Sequence, residues 1–490
     1  MEEKTYLKTD KGRIVIIDGQ LAGQVGGSLC RVQYGKEEKT LKWCYPNGNN
    51  PQALYQNLYA NIRHSPPEGP FMWPQDILTN QADGTFGYIM DLVPEEYHPM
   101  TDFLYQKRGA VFSSYGVALD AGIQIVAAFV RLHRKNYSFQ SLDTDNILIC
   151  PRDGRVLFIG NEFVVLNNKD VDKMEDNRWA IPDPRYMAPE ILKFKRKLAN
   201  IYSDRYTLAV ILFLLIFLKH PLEGKSSFVP LLTPQQEEDL YVDKPSFFMD
   251  IENKENGPDS VIHKNAVSLW QQLPETIQKL FLTAFDSQTY AALKRPKEAE
   301  WLDSLIRLRS GVARCSCGRE VFIADGRSAD CSSCSKKLIA PFTLQLRAYS
   351  VPGVAGRKIL RCQLDACNWE TCNIDRALES IGHIVANKSD NRMLGLKNTT
   401  DQDKGDIWCV QTMQNKAEAD ERYVMSGSTL YRETGCRQIS EETYIQPKAV
   451  VTLKNDLTIQ AGRMNLENKR WKHPANANEG SEIVVRKNVL

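Results

Sequence analysis

The sequence lacks most of what would place it outside the ordinary globular classes. Its longest uninterrupted apolar run, Leu208 to Leu218, is eleven residues, far short of the roughly 20 that cross a bilayer as a helix. Neither sign of charge dominates: 62 Lys and Arg stand against 60 Asp and Glu, so nothing draws the chain to nucleic acid or an anionic membrane. Twelve cysteines in 490 residues are too sparse for a disulfide scaffold. The opening MEEKTYLKTDKGR has no apolar stretch of the secretory kind, which gives the expectation of a cytoplasmic protein. Internal repeats and low-complexity tracts are also missing. Two absences are local: no Asp or Glu occurs from Tyr45 to Pro67, and no Ser or Thr from Asn161 to Met187.

What is present divides into three blocks. Up to about residue 115, short β-rich segments such as RIVIIDG and KTLKWCY alternate with turn signals like Asn47-Gly48 and Pro66-Pro67,. From there to about 308 the period is helical, with Leu119, Ile123, Val126 and Val130 on one face,. Beyond 310 come cysteine pairs and then short strands with turns. At 42% hydrophobic and 25% charged residues, the chain can bury substantial cores, and its length fits about two to four domains.

Within the first two blocks, several motifs occur in a telling order. A glycine-rich stretch runs from Asp18 to Leu29 and includes Gly23, Gly26 and Gly27. It is followed by TLKWC with Lys42, YIMDL at 88 to 92, SFQSLDTDNILI ending the next loop, DPRYMAPEIL at 183 to 192, and SDRYTLAV from Ser203. This order resembles the protein-kinase family over roughly residues 10 to 308. The resemblance implies a bilobal fold in which the glycine hairpin covers phosphates and Lys42 binds them. Adenine would lie against the backbone around Met90 and Leu92. The hairpin equally suits a plain Gly-rich β-turn. The acidic partner expected for Lys42 on the following helix is missing, because Tyr45 to Pro67 carries no carboxylate.

The catalytic frame departs from the family. LHRK at 132 to 135 mimics the start of HRD but lies too early. Anchored on Leu142 and Asn146, the frame places Ser141 at the base position, where a hydroxyl is hardly basic, and Asp143 where a lysine is usual. Asn146 is retained, either to hold a metal or to tie the loop. The hairpin CPRDGRVLFI leads to Gly160-Asn161-Glu162 in place of Asp-Phe-Gly. A glycine offers Mg²⁺ no side-chain oxygen, and Glu162 substitutes only if the backbone is rearranged. With no Ser or Thr from 161 to 187, Tyr186 is the one hydroxyl there for a phospho-switch. Ala188-Pro189-Glu190, Arg295 and Asp204 match residues that shape the large lobe. The resemblance is therefore to a pseudokinase, with nucleotide sensing or scaffolding as its role. The alternative is an active serine/threonine kinase using Asp143, Asp145 or Glu162.

Cys315 and Cys317, then Cys331 and Cys334, form CxC and CxxC knuckles, the pattern of a structural zinc site with four thiolates. Cys362, Cys367 and Cys372 have looser spacing and read as buried thiols. Segments from 343 onward suggest a β-sandwich that weakly resembles the forkhead-associated family, a reader of phosphothreonine; Gly382-His383 and Gly462-Arg463 are fragments of such a site in the wrong order.

The expected architecture is α+β and multidomain. A kinase-like small lobe (1–92) and large lobe (93–308) precede a zinc ribbon (309–342) and an all-β sandwich (343–490). Taken together, these parts resemble the kinase-like component of bacterial tellurite-resistance-associated phosphorylation triads. That resemblance implies a stress-response signalling role, with a von Willebrand A-type protein and a metal-dependent phosphatase as partners. Expected cofactors are structural Zn²⁺ and ATP, with Mg²⁺ binding put in question by Gly160.

Overall fold

The computed structural model describes residues 5–24, 27–44, 51–78, 86–167, 182–193, 198–252, 255–286, 292–390, 392–400, 407–414, 423–426, 429–432, 438–465, 470–472 and 482–488. The chain divides into two compact units, Met1–Ile306 and Arg307–Leu490. The division falls inside the helix Glu298–Gly311.

The first unit begins with an antiparallel sheet built from β1 (Thr5–Lys8), β2 (Ile14–Gln24), β3 (Gly27–Tyr34) and β4 (Glu37–Cys44), completed by β5 (Asp76–Ile77) and β6 (Phe86–Met90). The order is β1-β2-β3-β4-β6-β5. β-Branched and aromatic residues fill the buried positions, among them Val15, Val32, Ile77 and Tyr88, as suits half-buried strands. Strands β2 and β3 pair to the very tip, Gln24 opposite Gly27, so the glycine-rich stretch is a hairpin. Helix α1 (Pro51–Arg63) buries Leu54 and Leu58 against Phe86 and Tyr88 of the sheet and Leu148 and Ile159 below it.

The helical half is organised around two long helices. Tyr115–Arg134 starts where the Ser114 side chain accepts the Val117 N–H, and it buries Leu119, Ile123, Val126 and Val130 together. By length and composition it is apolar enough to cross a membrane, but it is largely buried inside the unit. Ile201–Phe217 is capped by Asn200 and Ser203 in a reciprocal pair and is buried on all sides from Tyr206 onward,. A helix that is apolar all round must sit in the centre of its lobe. Phe213 confirms this with edge contacts to Phe247, Phe248 and Phe281. Two small antiparallel sheets accompany the helices, one of them extended to three strands by His98–Pro99. Ile147–Ile149 pairs with Val156–Phe158 around the Asp153-Gly154 turn, where Gly154 has φ +74°, and Tyr137–Phe139 pairs with Val164–Leu166.

The second unit starts with two short hairpins, Val312–Arg314 with Glu320–Phe322 and Ser328–Asp330 with Lys337–Ile339. Two sheets follow: a larger one that includes Phe342–Leu346, Leu457–Asn465 and Glu482–Lys487, and a four-stranded one that includes Ser380–Ala386 and Val450–Thr452. They face each other, since the buried Trp408 of one sheet reaches the position where a Cβ on Gly382 of the other would be. Lys454-Asn455-Asp456 does not close a hairpin. It carries the chain from one sheet to the other, because Val450–Thr452 pairs with Leu394–Asn398 while Leu457–Asn465 pairs with Ile407–Gln414 and Glu482–Lys487.

Candidate functional site: a closed ionic cluster beneath the sheet

Lys42 lies on β4, paired across the sheet with Tyr88 on β6 and Leu29 on β3. An isolated strand lysine would extend into water, but this one is buried. Its Nζ has three acceptors: Glu162 Oε1 at 2.6 Å, Asn146 Oδ1 at 3.0 Å and the Ile159 carbonyl at 3.2 Å. That matches the three protons of an ammonium group. The other carboxylate oxygen of Glu162 accepts from the Tyr88 hydroxyl at 2.7 Å. Burial, and then the Glu162 charge, push the Tyr88 hydroxyl well up, so it stays a donor.

The acidic partner missing from α1 is thus supplied by a different element. Helix α1 takes part through amides instead: Asn57 donates to the Glu162 and Val164 carbonyls, and Asn61 donates to the Val164 carbonyl. The buried Asn161 fixes the same turn from the other side by donating to the Met72 and Phe158 carbonyls. These amide hydrogen bonds make the rearranged backbone around Glu162 possible.

The loop that precedes the cluster is equally tied down. Asp143 Oδ1 accepts from the backbone N–H groups of Asp145 and Asn146 and from Asn146 Nδ2 at 2.8 Å. Both ends of the Asn146 amide are therefore engaged, one with Lys42 and one with Asp143. Burial, reinforced by the Asp145 charge, raises the Asp143 carboxyl above its ordinary value. Ser141 and Asp145 are half-buried. Gly160 abuts Asn146 so closely that a Cβ there would lie 2.8 Å from Asn146 Cγ and 2.9 Å from its Cβ.

Of the other sequence candidates, Gly23 and Gly27 sit in the β2–β3 hairpin, and Gly26 lies outside the described residues. Met90 is fully buried opposite Thr40, and Leu92 is half-buried just past the strand. The next backbone donor, Val93 N–H, is capped by the buried Thr40 hydroxyl at 3.0 Å. Tyr186, the lone hydroxyl of its segment, is buried and hydrogen-bonded to Thr144 at 3.0 Å.

The large lobe holds the loop from below. Asp204 accepts the Phe139 N–H on both oxygens at 3.2 Å, and Arg295 grips Glu190 with two bonds of 2.7 and 2.8 Å. His133, from the misleading LHRK motif, is a buried hub between Asp204 at 3.0 Å and Glu298 at 3.1 Å, with Arg205 also on Glu298. Sequence reasoning passed over it because no short-range pattern marks a histidine whose partners lie 71 and 165 residues away. Burial opposes its charge, but the two carboxylates prevail and raise it to about 9. Glu298, despite burial, is held down to about 2 by His133 and Arg205.

Because the folded value for His133 lies above the unfolded 6.5, its contribution is complete below pH 6.5 and is lost as pH rises through about 9. The gap corresponds to roughly 3 kcal/mol. Thermal melts from pH 6.5 to 10 are expected to show a falling midpoint, and His133→Asn is expected to flatten that fall. An unchanged slope in the variant would assign the alkaline loss to other groups.

In the second unit, Cys315, Cys317, Cys331 and Cys334 converge with all four sulfurs within 4.8 Å of one another. Cys315 to Cys334 is 3.7 Å and Cys317 to Cys331 is 3.6 Å. A tetrahedron with metal–sulfur bonds of about 2.3 Å has edges of about 3.75 Å, so the thiols have the spacing of metal ligands and are far from disulfide contact. Around them the buried core is small, with Val321 and Ile323 its largest members. Cys362, Cys367 and Cys372 are not uniformly buried as expected: Cys362 is, whereas Cys367 and Cys372 are half-buried with their sulfurs 2.8 Å apart.

No family model matches the chain. Over 123 residues, a quarter of its length, it is 31% identical to the human serine/threonine-protein kinase Nek5, and the match spans 16% of that protein. The kinase domain of Mycobacterium tuberculosis PknI, solved as a double mutant, is 15% identical. It aligns with 60% of this chain and 94% of its own, with a TM-score of 0.39, a superposition too loose to carry functional weight. The chain thus combines a kinase-like order of motifs in its first unit with sequence similarity, over a quarter of its length, to a stretch of a protein kinase.

Proposed function

We propose that the first unit is a pseudokinase-like signalling module whose cleft is held closed by its own side chains. The observation that supports this reading is the commitment of Glu162 and Asn146. Both carboxylate oxygens of Glu162 and both amide atoms of Asn146 are engaged within the protein. With Gly160 contributing no side-chain oxygen and Glu162 fully engaged, neither of those two positions offers a catalytic metal a free carboxylate. The Thr40 cap on Val93 adds a barrier, since an adenine ring seeking that N–H must displace an existing hydrogen bond,. The role that fits is a scaffold whose lobes change arrangement when a partner or nucleotide opens the cluster. By family resemblance, the partners are a von Willebrand A-type protein and a metal-dependent phosphatase in a bacterial stress response. The four thiols fit zinc, held as a structural ion by Cys315, Cys317, Cys331 and Cys334, where it would cross-link two hairpins,.

A second reading has one observation in its favour. The Lys42–Glu162 pair rebuilds the lysine–acid contact an active kinase needs, and Asp143, with its raised carboxyl, lies beside it as a base. Incubation with labelled ATP and Mg²⁺ or Mn²⁺ separates the two. The scaffold reading expects no phosphate incorporation and weak, metal-independent nucleotide binding, strengthened in Thr40→Ala. Incorporation that disappears in Asp143→Asn and in the charge-free pair Lys42→Met/Glu162→Gln would overturn it.

A further inference from the structure

The second unit contains a cavity of about 600 Å³ between the hairpin Ser328–Ile339, with the turn before it, and the edge of its larger sheet around Thr343, Ser350 and Arg486. Four cations line it: Arg327, Lys337, Arg486 and Lys487. All four are exposed, and none makes an ion pair among the described residues. The single carboxylate in the lining, Asp325, accepts the backbone N–H groups of Arg327 and Ser328 through Oδ1. In a chain with almost equal numbers of acids and bases, four cations against one carboxylate in one concavity is a local departure that costs repulsion unless an anion offsets it.

The cavity is also built from fixed parts. Arg486 lies directly across the sheet from Thr343, whose hydroxyl donates to the Gly326 carbonyl at 2.8 Å. Gly326, at φ +74°, packs so tightly that a Cβ would come within 2.9 Å of the Thr343 methyl and 3.1 Å of Ser350. That contact seats the turn carrying Arg327 on the strand facing Arg486. Asn488 donates to the Ala340 carbonyl at 2.7 Å and closes the end next to Lys487.

We infer that this cavity is a binding site for an organic phosphate bearing two or more negative charges. Two guanidinium groups offer paired N–H donors suited to phosphate oxygens, and two ammonium groups add charge. The volume lies in the range of about 300–1,000 Å³ typical of small-ligand sites, larger than a single oxyanion requires. The site is independent of the Lys42 cluster and of the pseudokinase reading.

Calorimetric titration of the full chain with inorganic pyrophosphate at low ionic strength tests it. Saturable binding is expected, weakening as salt rises and at least tenfold weaker in Arg327→Gln/Arg486→Gln at an unchanged melting temperature. If that variant unfolds, Lys337→Gln/Lys487→Gln serves in its place with the same expectation. Displacement of pyrophosphate by ADP would identify a nucleotide as the source of the phosphate, and displacement by a phosphoserine peptide would identify a modified protein. No saturable binding, equal affinity in a folded variant, displacement by neither competitor, or displacement by single-stranded nucleic acid alone would each overturn the inference.

Discussion

Glu162→Ala is expected to destabilise the first unit by about 3–5 kcal/mol, the usual cost of leaving one member of a buried ion pair without its partner. For a unit of this size that is a fall in melting temperature on the order of 10 °C. The reason is geometric: Lys42 is sealed beneath the sheet, its side chain 4% exposed, and Glu162 is its only anionic contact among the described residues. Asn146 and the Ile159 carbonyl remain as neutral acceptors, which moderates the loss without removing it. The charge-free pair Lys42→Met/Glu162→Gln is expected to lie within about 1–2 kcal/mol of the natural protein, because neither residue then holds an uncompensated charge. Chemical denaturation of the two single variants and the pair gives the coupling directly. If Glu162→Ala proves as stable as the parent, the ion pair contributes nothing and the proposal of a closed cleft loses its main support.

The other large effect is expected from the four thiols. Metal binding in small cysteine modules supplies folding free energy of about 10–16 kcal/mol, and the core around Cys315 and Cys331 is too small to replace it. Chelation, or Cys331→Ser, is expected to abolish amide protection across residues 312 to 340 while leaving the Ile201–Phe217 helix protected. Elemental analysis of the natural protein is expected to find one zinc per chain. Retention of protection without metal would show that the hairpins stand on their own.

Much of the scaffold was legible in the sequence because its signals are local. The helix at Ile201–Phe217 is announced by the apolar run from Leu208, and the hairpin at Asp153-Gly154 by a turn pair between β-rich segments. The Glu190–Arg295 contact was legible through the order of family motifs. The cluster at Lys42 was legible only in part. Lys42 and Asn146 stand where the motif order puts them, and the lack of an acid on α1 was visible as a gap. That Glu162 fills the gap was not visible, since it depends on how Asn57, Asn61 and Asn161 shape a turn through contacts 89 to 107 residues distant or local to it. The structural role of His133 was not visible either, since its partners Asp204 and Glu298 lie 71 and 165 residues away. At Lys454 to Asp456 turn chemistry tells where a strand ends, but pairing partners decide whether the next strand lies beside it or in the opposite sheet.

The close contact between Gly160 and Asn146 bears on the history open to this chain. Introducing an aspartate at 160 does not by itself recreate a metal ligand, because its Cβ would collide with an asparagine already bound to Lys42 and Asp143. Asn146 would have to vacate first, and that step alone breaks two contacts and returns nothing. Single substitutions therefore cost contacts in either order, so placing a carboxylate at 160 calls for coordinated changes at both positions.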